Sequence, residues 1–283
     1  MIPSSRLLLT ALFLGTTALV GCAEQTPELF IRANVPLSDS CESPPAGSAA
    51  STTRARGTLD ILVSELLRAN PSYEVTLIVE NTLVGSEGIG FGGGGGGGGL
   101  SGTDWEANTI SLENAQVRVS VPDGAGIVIP RAYEIPLSGS VDVGGGSAIV
   151  SMAVLNSSVI QRLTLSPLLR SGEVVPIQLR VTVSGQTIAG RKVDSNEFIY
   201  PLDICYGCLV NFPPDAIDTE ISNFNCRRVL EEDAFGSVQA IDGDICRIGQ
   251  DDFVDCRSVC PQLSVLVDEE IEVVQDLREV CGY

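Results

Sequence analysis

The chain alternates between apolar and polar positions over long stretches. Between Tyr73 and Asn81, Tyr73, Val75, Leu77 and Val79 fall on one face, with Glu74, Thr76 and Glu80 on the other. The same two-residue period runs through Gln116 to Val121, where Val117, Val119 and Val121 alternate with Gln116, Arg118 and Ser120. It recurs in Ile177, Leu179, Val181 and Val183 against Gln178, Arg180, Thr182 and Ser184, and again in Phe198, Tyr200, Leu202 and Ile204. Successive strand side chains point to opposite faces, so this pattern predicts antiparallel sheets, each with one buried and one wet face. Pro122-Asp123-Gly124 and Ser184-Gly185 read as turns between the runs. Seven or so strands over roughly 150 residues predict a mostly β protein, an antiparallel β-sandwich of immunoglobulin-like architecture. The Cys–Trp–Cys spacing of true immunoglobulin domains is missing, so the expectation concerns architecture and not descent.

Three stretches break the alternation. Leu59, Leu62, Val63, Leu66 and Leu67 follow helical spacing, with Thr58 as a possible N-cap and Asn70-Pro71 as a stop, but Thr58 to Val63 also reads as an edge strand. Gly92 to Gly99 is a run of eight glycines inside a loop over 85–103. It has no side chains to bury and lacks the Lys-Ser/Thr or G-x-G-x-x-G register of a phosphate loop, so an insertion between strands is the expectation. Towards the C-terminus, Ile271, Val274, Leu277 and Cys281, with Val267 a turn earlier, predict a helix over roughly 268–280.

Nine cysteines are present. With Cys22 set aside on grounds given below, Cys41, Cys205, Cys208, Cys226, Cys246, Cys256, Cys260 and Cys281 form an even set, and an oxidising compartment would make them four disulfides. Seven lie at or beyond Cys205, an odd number, so one must reach outside that region. Cys41 is its only in-chain candidate apart from Cys22. Two other chemistries compete for the same residues. Cys205-Tyr-Gly-Cys208 has the spacing of a thioredoxin-like redox pair, but its flanks read as a strand entering a loop, not as a strand opening a helix. Cys205, Cys208, Cys256 and Cys260 could together hold zinc. A disulfide scaffold is favoured over both.

Histidine is entirely missing. That excludes Ser-His-Asp and Cys-His nucleophilic systems and His-ligated metals, and leaves carboxylates, Tyr, Cys and the single Lys192 to carry any catalysis. No catalytic residue and no cofactor is therefore assigned. In the region 205–283 the acids concentrate, 17 against 5 basic residues. Asp242, Asp244, Asp251 and Asp252 there make weak calcium candidates and the only metal candidates apart from the cysteines. An EF-hand reading fails because Cys246 and Arg247 occupy positions that need an oxygen ligand and a glycine.

The N-terminus carries the most specific signal. Arg6 precedes an apolar run from Leu7 to Val20, too short to span a bilayer as a helix but suited to a secretory signal. It ends in Leu19-Val20-Gly21-Cys22, which resembles the lipobox of bacterial lipoproteins. The resemblance implies cleavage before Cys22, lipidation of its sulfur and acylation of the new amino terminus. Ala23, where an Asp would favour the inner membrane, points to the outer membrane. Cleavage leaves 16 basic against 36 acidic residues, a net charge of −20, which disfavours nucleic acid as a partner. The string Gly249-Gln250-Asp251-Asp252 leading to Asp255-Cys256-Arg257, after the Cys205–Cys208 pair, loosely resembles uncharacterised cysteine-rich lipoproteins of Gram-negative bacteria, and implies no activity.

The expected layout is a signal peptide over 1–21 and a lipidated Ser/Pro/Ala-rich tether over 22–56 containing a short strand near Leu29. A β-sandwich over 57–204 and an acidic cysteine-rich module over 205–283 follow. The expected role is non-enzymatic: a membrane-anchored envelope protein with a structural or protein-contact function, partnered by the membrane through its lipid and by another envelope protein. The alternatives are a carboxylate-based polysaccharide hydrolase, which needs two facing carboxyls about 5–10 Å apart, and a calcium-dependent adhesion module.

Overall fold

The computed structural model describes residues 27–38, 40–45, 52–67, 71–85, 106–123, 127–211, 217–218, 223–224, 246–263, 275 and 278. The fold is mostly β. One sheet has strands β1 (Leu29–Asn34), β3 (Tyr73–Asn81) and β7 (Ser147–Leu155) in the order β1-β3-β7, all antiparallel. The other runs β2 (Gly57–Asp60), β10 (Phe198–Cys205), β8 (Val175–Thr187), β4 (Ile110–Ser120) and β5 (Ala132–Pro136). Two short strands, β6 (Ser140–Val141) and β9 (Lys192–Asp194), add to β4 and β8. The inward residues of both sheets belong to a single core: Leu29, Ile31, Val75, Leu77 and Val79 from one, Val117, Leu179, Val181 and Leu202 from the other. The two sheets, in the orders β1-β3-β7 and β2-β10-β8-β4-β5, thus share their buried faces.

The expected faces lie where the alternation put them. Along β8, Val175, Ile177, Leu179, Val181 and Val183 are buried, while the residues between them are half-buried or exposed. Each such side chain contributes about 1.5–3 kcal/mol relative to exposure, so the five inward positions of this one strand are enough to set its register. Ser184-Gly185, expected as a turn, lies inside β8 instead, and the chain reverses at Thr187 to Arg191. The glycine is required there for a different reason. A Cβ on Gly185 would stand 2.5 Å from the Ser111 carbonyl oxygen of β4, beside the register shift between Leu112 and Asn114.

Three further departures concern pairing, the segment from residue 58 and the outer face of β3. The sheets are not purely antiparallel, because β2 pairs parallel with β10, Leu202 opposite Gly57 and Cys205 opposite Asp60. The ambiguous segment from residue 58 is both things at once: β2 ends at Asp60 and helix α1 (Ile61–Leu67) begins at the next residue. Thr58 is in the strand, and Asp60 supplies the cap, its Oδ1 accepting from Val63 N at 3.2 Å. The outer face of β3 is not wet throughout, because Thr76 and Ile78 are buried, Ile78 against Val35.

The tether expected over 22–56 is the largest correction. Leu29 and Ile31 are core residues, and Arg54 N donates to Asn34 O at 2.8 Å, so much of this segment is part of the sandwich. Alternation at Leu29 and Ile31 is too short a pattern to distinguish a core strand from a stray one.

Nor does the chain divide at Cys205 among the described residues. Strands β11 (Val210–Asn211) and β14 (Val254–Asp255) pair in parallel, and helix α4 (Cys256–Leu263) follows directly. Val210, Val254, Cys256, Val259 and Cys260 join the same core as the sandwich. Helices α2 (Ser157–Leu163) and α3 (Pro167–Arg170) join β7 to β8, with Asn156 Oδ1 capping α2 through Val159 N. Two more short strands, β12 (Ile217–Asp218) and β13 (Asn223–Phe224), pair with each other. The poly-Gly run and nearly all of the helix expected over 268–280 lie outside the described residues. No described helix is long and apolar enough to cross a membrane.

Candidate functional site

Strand β1 runs out at Asn34, opposite Leu77, and after one more backbone bond, Val35 N to Thr76 O at 2.8 Å, it leaves the edge of β3 at Glu74. Side chains take over the pairing. Asn34 Oδ1 accepts from Thr76 N at 2.9 Å. Gln250 then imitates a strand at Glu74, its Oε1 accepting from the backbone N at 2.9 Å and its Nε2 donating to the carbonyl at 2.5 Å. Arg247 completes the seam: it donates to Glu74 O at 3.0 Å and Thr76 Oγ1 at 2.7 Å and lies 3.5 Å from the Glu74 carboxylate. Burial pulls the Arg247 guanidinium below its usual range, against the Glu74 charge that supports it. The 247–251 segment therefore covers the edge of β3 with side chains, while its backbone pairs with β2, Asp60 N donating to Gly249 O at 2.8 Å and Asp251 N to Thr58 O at 2.9 Å.

Asp251 adopts a positive φ of 66° and turns its carboxylate inward, where it is 5% exposed. It accepts from Thr58 N at 2.7 Å, from Tyr73 Oη at 3.1 Å and from Arg54 at 2.5 Å. Tyr73 Oη is also 3.1 Å from Tyr200 Oη. An ionised carboxylate can only accept, so Tyr73 donates to Asp251, and a chain Tyr200–Tyr73–Asp251–Arg54 follows. Burial, then the Asp251 charge, pushes the Tyr73 phenol far above its usual range, and burial pushes Tyr200 up as well. Both rings remain neutral donors at any physiological pH. Burial works against the charge of Arg54, but the adjacent Asp251 outweighs it and the net direction is up. Gly57 is needed here because a Cβ would stand 1.8 Å from Tyr73 Oη.

A second buried carboxylate, Asp60, sits where β2 meets α1. The loop closed by the Cys205–Cys208 disulfide wraps over it, Gly207 N donating to Oδ1 at 2.8 Å and Leu209 N to Oδ2 at 2.7 Å. Burial pushes the Asp60 carboxyl up, against the backbone donors, Leu209 and Gly207 foremost, that favour the charged form. The disulfide thus shapes a cradle of N–H groups around a buried acid.

Cys41 is joined to Cys246, 205 residues away, and Cys256 and Cys260 are also in disulfides. Their sulfurs are therefore not free to make the Cys205–Cys208–Cys256–Cys260 zinc site, and the proximity of Asp60 to Cys205 and Cys208 is the cradle just described. Cys22, Cys226 and Cys281 lie outside the described residues, as do Asp242 and Asp244. Of the other two acids considered for calcium, Asp251 is engaged by Arg54, Tyr73 and Thr58, while Asp252 is half-exposed, 3.7 Å from Arg54.

Between the Val35–Ser38 turn and the 246–252 segment lies a cleft of about 340 Å³, with Arg54 and Asp252 at its polar wall and the Cys41–Cys246 bridge beside it. Asp60 as a cap before an apolar helical run was findable in the sequence. Arg54, Arg247 and Gln250 carried no sequence signal, because their partners are backbone groups and acids many residues away.

No family model matches the chain, and no curated protein matches it. Among solved structures, the chain is similar over 69% of its length, and 74% of the other's, to the solution structure of a protein assigned as late embryogenesis abundant (LEA), at 13% identity and a TM-score of 0.29. Similarity at that level carries no argument about function.

Proposed function

We propose that this protein is a lipid-anchored lipoprotein of the bacterial cell envelope, on the outer membrane, with a non-enzymatic structural or protein-contact role. The observation that carries the reading is Leu19-Val20-Gly21-Cys22 at the end of an apolar export signal. The cysteine chemistry supports the compartment. The bridges Cys41–Cys246 and Cys205–Cys208 would be reduced in a cytosol and persist outside it. The first closes a loop of 205 residues, which in the chain-entropy model stabilises by about 5 kcal/mol and matches a protein that must hold its fold without cytosolic chaperones.

The non-enzymatic part rests on two points. The chain contains no histidine, and the inward-turned carboxylates Asp60 and Asp251 hold structural hydrogen bonds. The cleft beside Arg54 is the candidate contact site for an envelope partner. Expression of the full chain in a Gram-negative host, followed by detergent-phase partitioning of wild type and Cys22→Ser, tests the anchor. Wild type should enter the detergent phase with acyl mass on a chain beginning at Cys22, and Cys22→Ser should carry no acyl mass. Wild type in the aqueous phase, or wild type without acyl mass, would remove the reading.

A further inference from the structure

The sandwich has two ends, and the anchor is close to one of them. Pro27 and Glu28 leave β1 at the end where Thr82 holds them, Thr82 Oγ1 donating to Pro27 O at 2.9 Å and Thr82 N to Glu28 O at 2.9 Å. Cys22 is five Cα–Cα steps from Pro27, so however those residues run, their reach is at most about 18 Å. A domain displayed at a distance would need a long spacer at this point, and the Ser/Pro/Ala-rich stretch comes after β1 rather than before it.

Two exposed apolar side chains stand near Pro27. Asn108 Nδ2 donates to Val84 O at 3.0 Å, Ile188 N to Thr109 O at 3.0 Å, and Ala189 N to Ala107 O at 3.1 Å, which places Val84 and Ile188 on one contiguous end. Val84 is 77% exposed and Ile188 is 45% exposed. Glu28 is neutralised by Arg191, with Lys192 next in sequence, while Asp142 adds one negative charge on the turn that meets Leu83. Glu106, whose carbonyl accepts from Thr109 N at 2.9 Å, adds another negative charge at the same end. The cleft is at the other end, where β1 finishes at Asn34, about 17 Å along the strand.

Building on the anchoring proposed above, we infer that this end, bearing Val84 and Ile188, rests on the bilayer that holds the Cys22 lipid. The cleft lined by Arg54 and Asp252 then points away from that bilayer. The occupant of the apolar end is the protein's own membrane, selected by the length of chain between lipid and fold. Val84 and Ile188 would reach the boundary between headgroups and acyl chains, the depth reached by amphipathic surface elements.

Tryptophan quenching by brominated lipid tests the orientation. Trp105 is the single tryptophan, so Trp105→Phe provides a silent background for Val84→Trp, Ile188→Trp and, at the far end, Phe253→Trp, which is 65% exposed. All three positions are exposed, so the substitutions should leave the fold intact. Acylated full chain is reconstituted in vesicles of phosphatidylethanolamine and phosphatidylglycerol with brominated acyl chains, after its intact mass has established the lipid. Quenching at positions 84 and 188 should exceed that at 253 by at least about twofold, because bromine in the acyl region quenches only what reaches it. Acylated protein with equal quenching at all three, or more at 253, would overturn the orientation and leave the anchor standing. Protein carrying no acyl mass would overturn both.

Discussion

Asp60 offers the sharpest test of how the cysteine loop and the sandwich are coupled. Three backbone donors converge on its carboxylate: Gly207 and Val63 on Oδ1, Leu209 on Oδ2. Asp60→Ala leaves all three buried N–H groups without an acceptor. One orphaned donor costs about 1–3 kcal/mol, and removing the desolvated charge returns part of the loss, so a net of about 3–5 kcal/mol is expected. Asp60→Asn keeps one oxygen but turns an NH₂ towards a donor, so it should cost about 1–3 kcal/mol. Urea unfolding followed by far-UV circular dichroism measures both. The midpoint should fall by about 1 M or more for the alanine variant and by less for the asparagine, with the slope unchanged. Asp60→Asn matching or exceeding wild type would refute the reasoning, because it would show that acceptance by both oxygens contributes nothing. Equal losses in the two variants would refute the ranking of three orphans above one.

Further outcomes follow from the same structure. Replacing Cys41 and Cys246 together by Ser should lower stability by about 5 kcal/mol in the same urea assay, and a loss under about 1 kcal/mol would mean the bridge constrains little. Gly57→Ala should destabilise strongly, by about 3 kcal/mol or more, because its Cβ would meet Tyr73 Oη; a Tm unchanged within error would contradict the close approach. The pH dependence has a definite sign. Tyr73, Tyr133 and Tyr200 all have folded-state values raised above the ordinary 10, so their contribution is complete below pH 10 and is lost as the pH rises beyond it. Each costs about 1.4 kcal/mol per pH unit there, so tyrosinate absorbance for these three should appear only together with unfolding.

The sequence was a good guide to what its period could express. Inward positions such as Leu179, Val181, Tyr200 and Leu202 are core because alternation over five or more residues leaves a strand one way to face. It was a poor guide wherever pairing is made by side chains or by distant chain segments. Gln250 and Asn34 bond the edge of β3 through their side chains, which no alternation encodes, and Gly185 reads as a turn because close approach to Ser111 of β4 requires the same residue. The site was less legible than the fold. Asp251 stands out in the sequence only as one acid among several, since its partners Arg54 and Tyr73 lie far away along the chain. The N-terminal segment misled in composition: its Ser, Pro and Ala suggested a spacer, but Leu29, Ile31 and Cys41 tie it into the fold.

The central claim is an exported, lipid-anchored, disulfide-bonded envelope protein, and intact mass of the chain purified from its native membrane tests it most directly. The account predicts a polypeptide beginning at Cys22 with diacylglyceryl and acyl groups attached, gaining the mass of two hydrogens per disulfide on reduction. A chain that retains residues 1–21, carries no lipid, or shows no gain on reduction would contradict it.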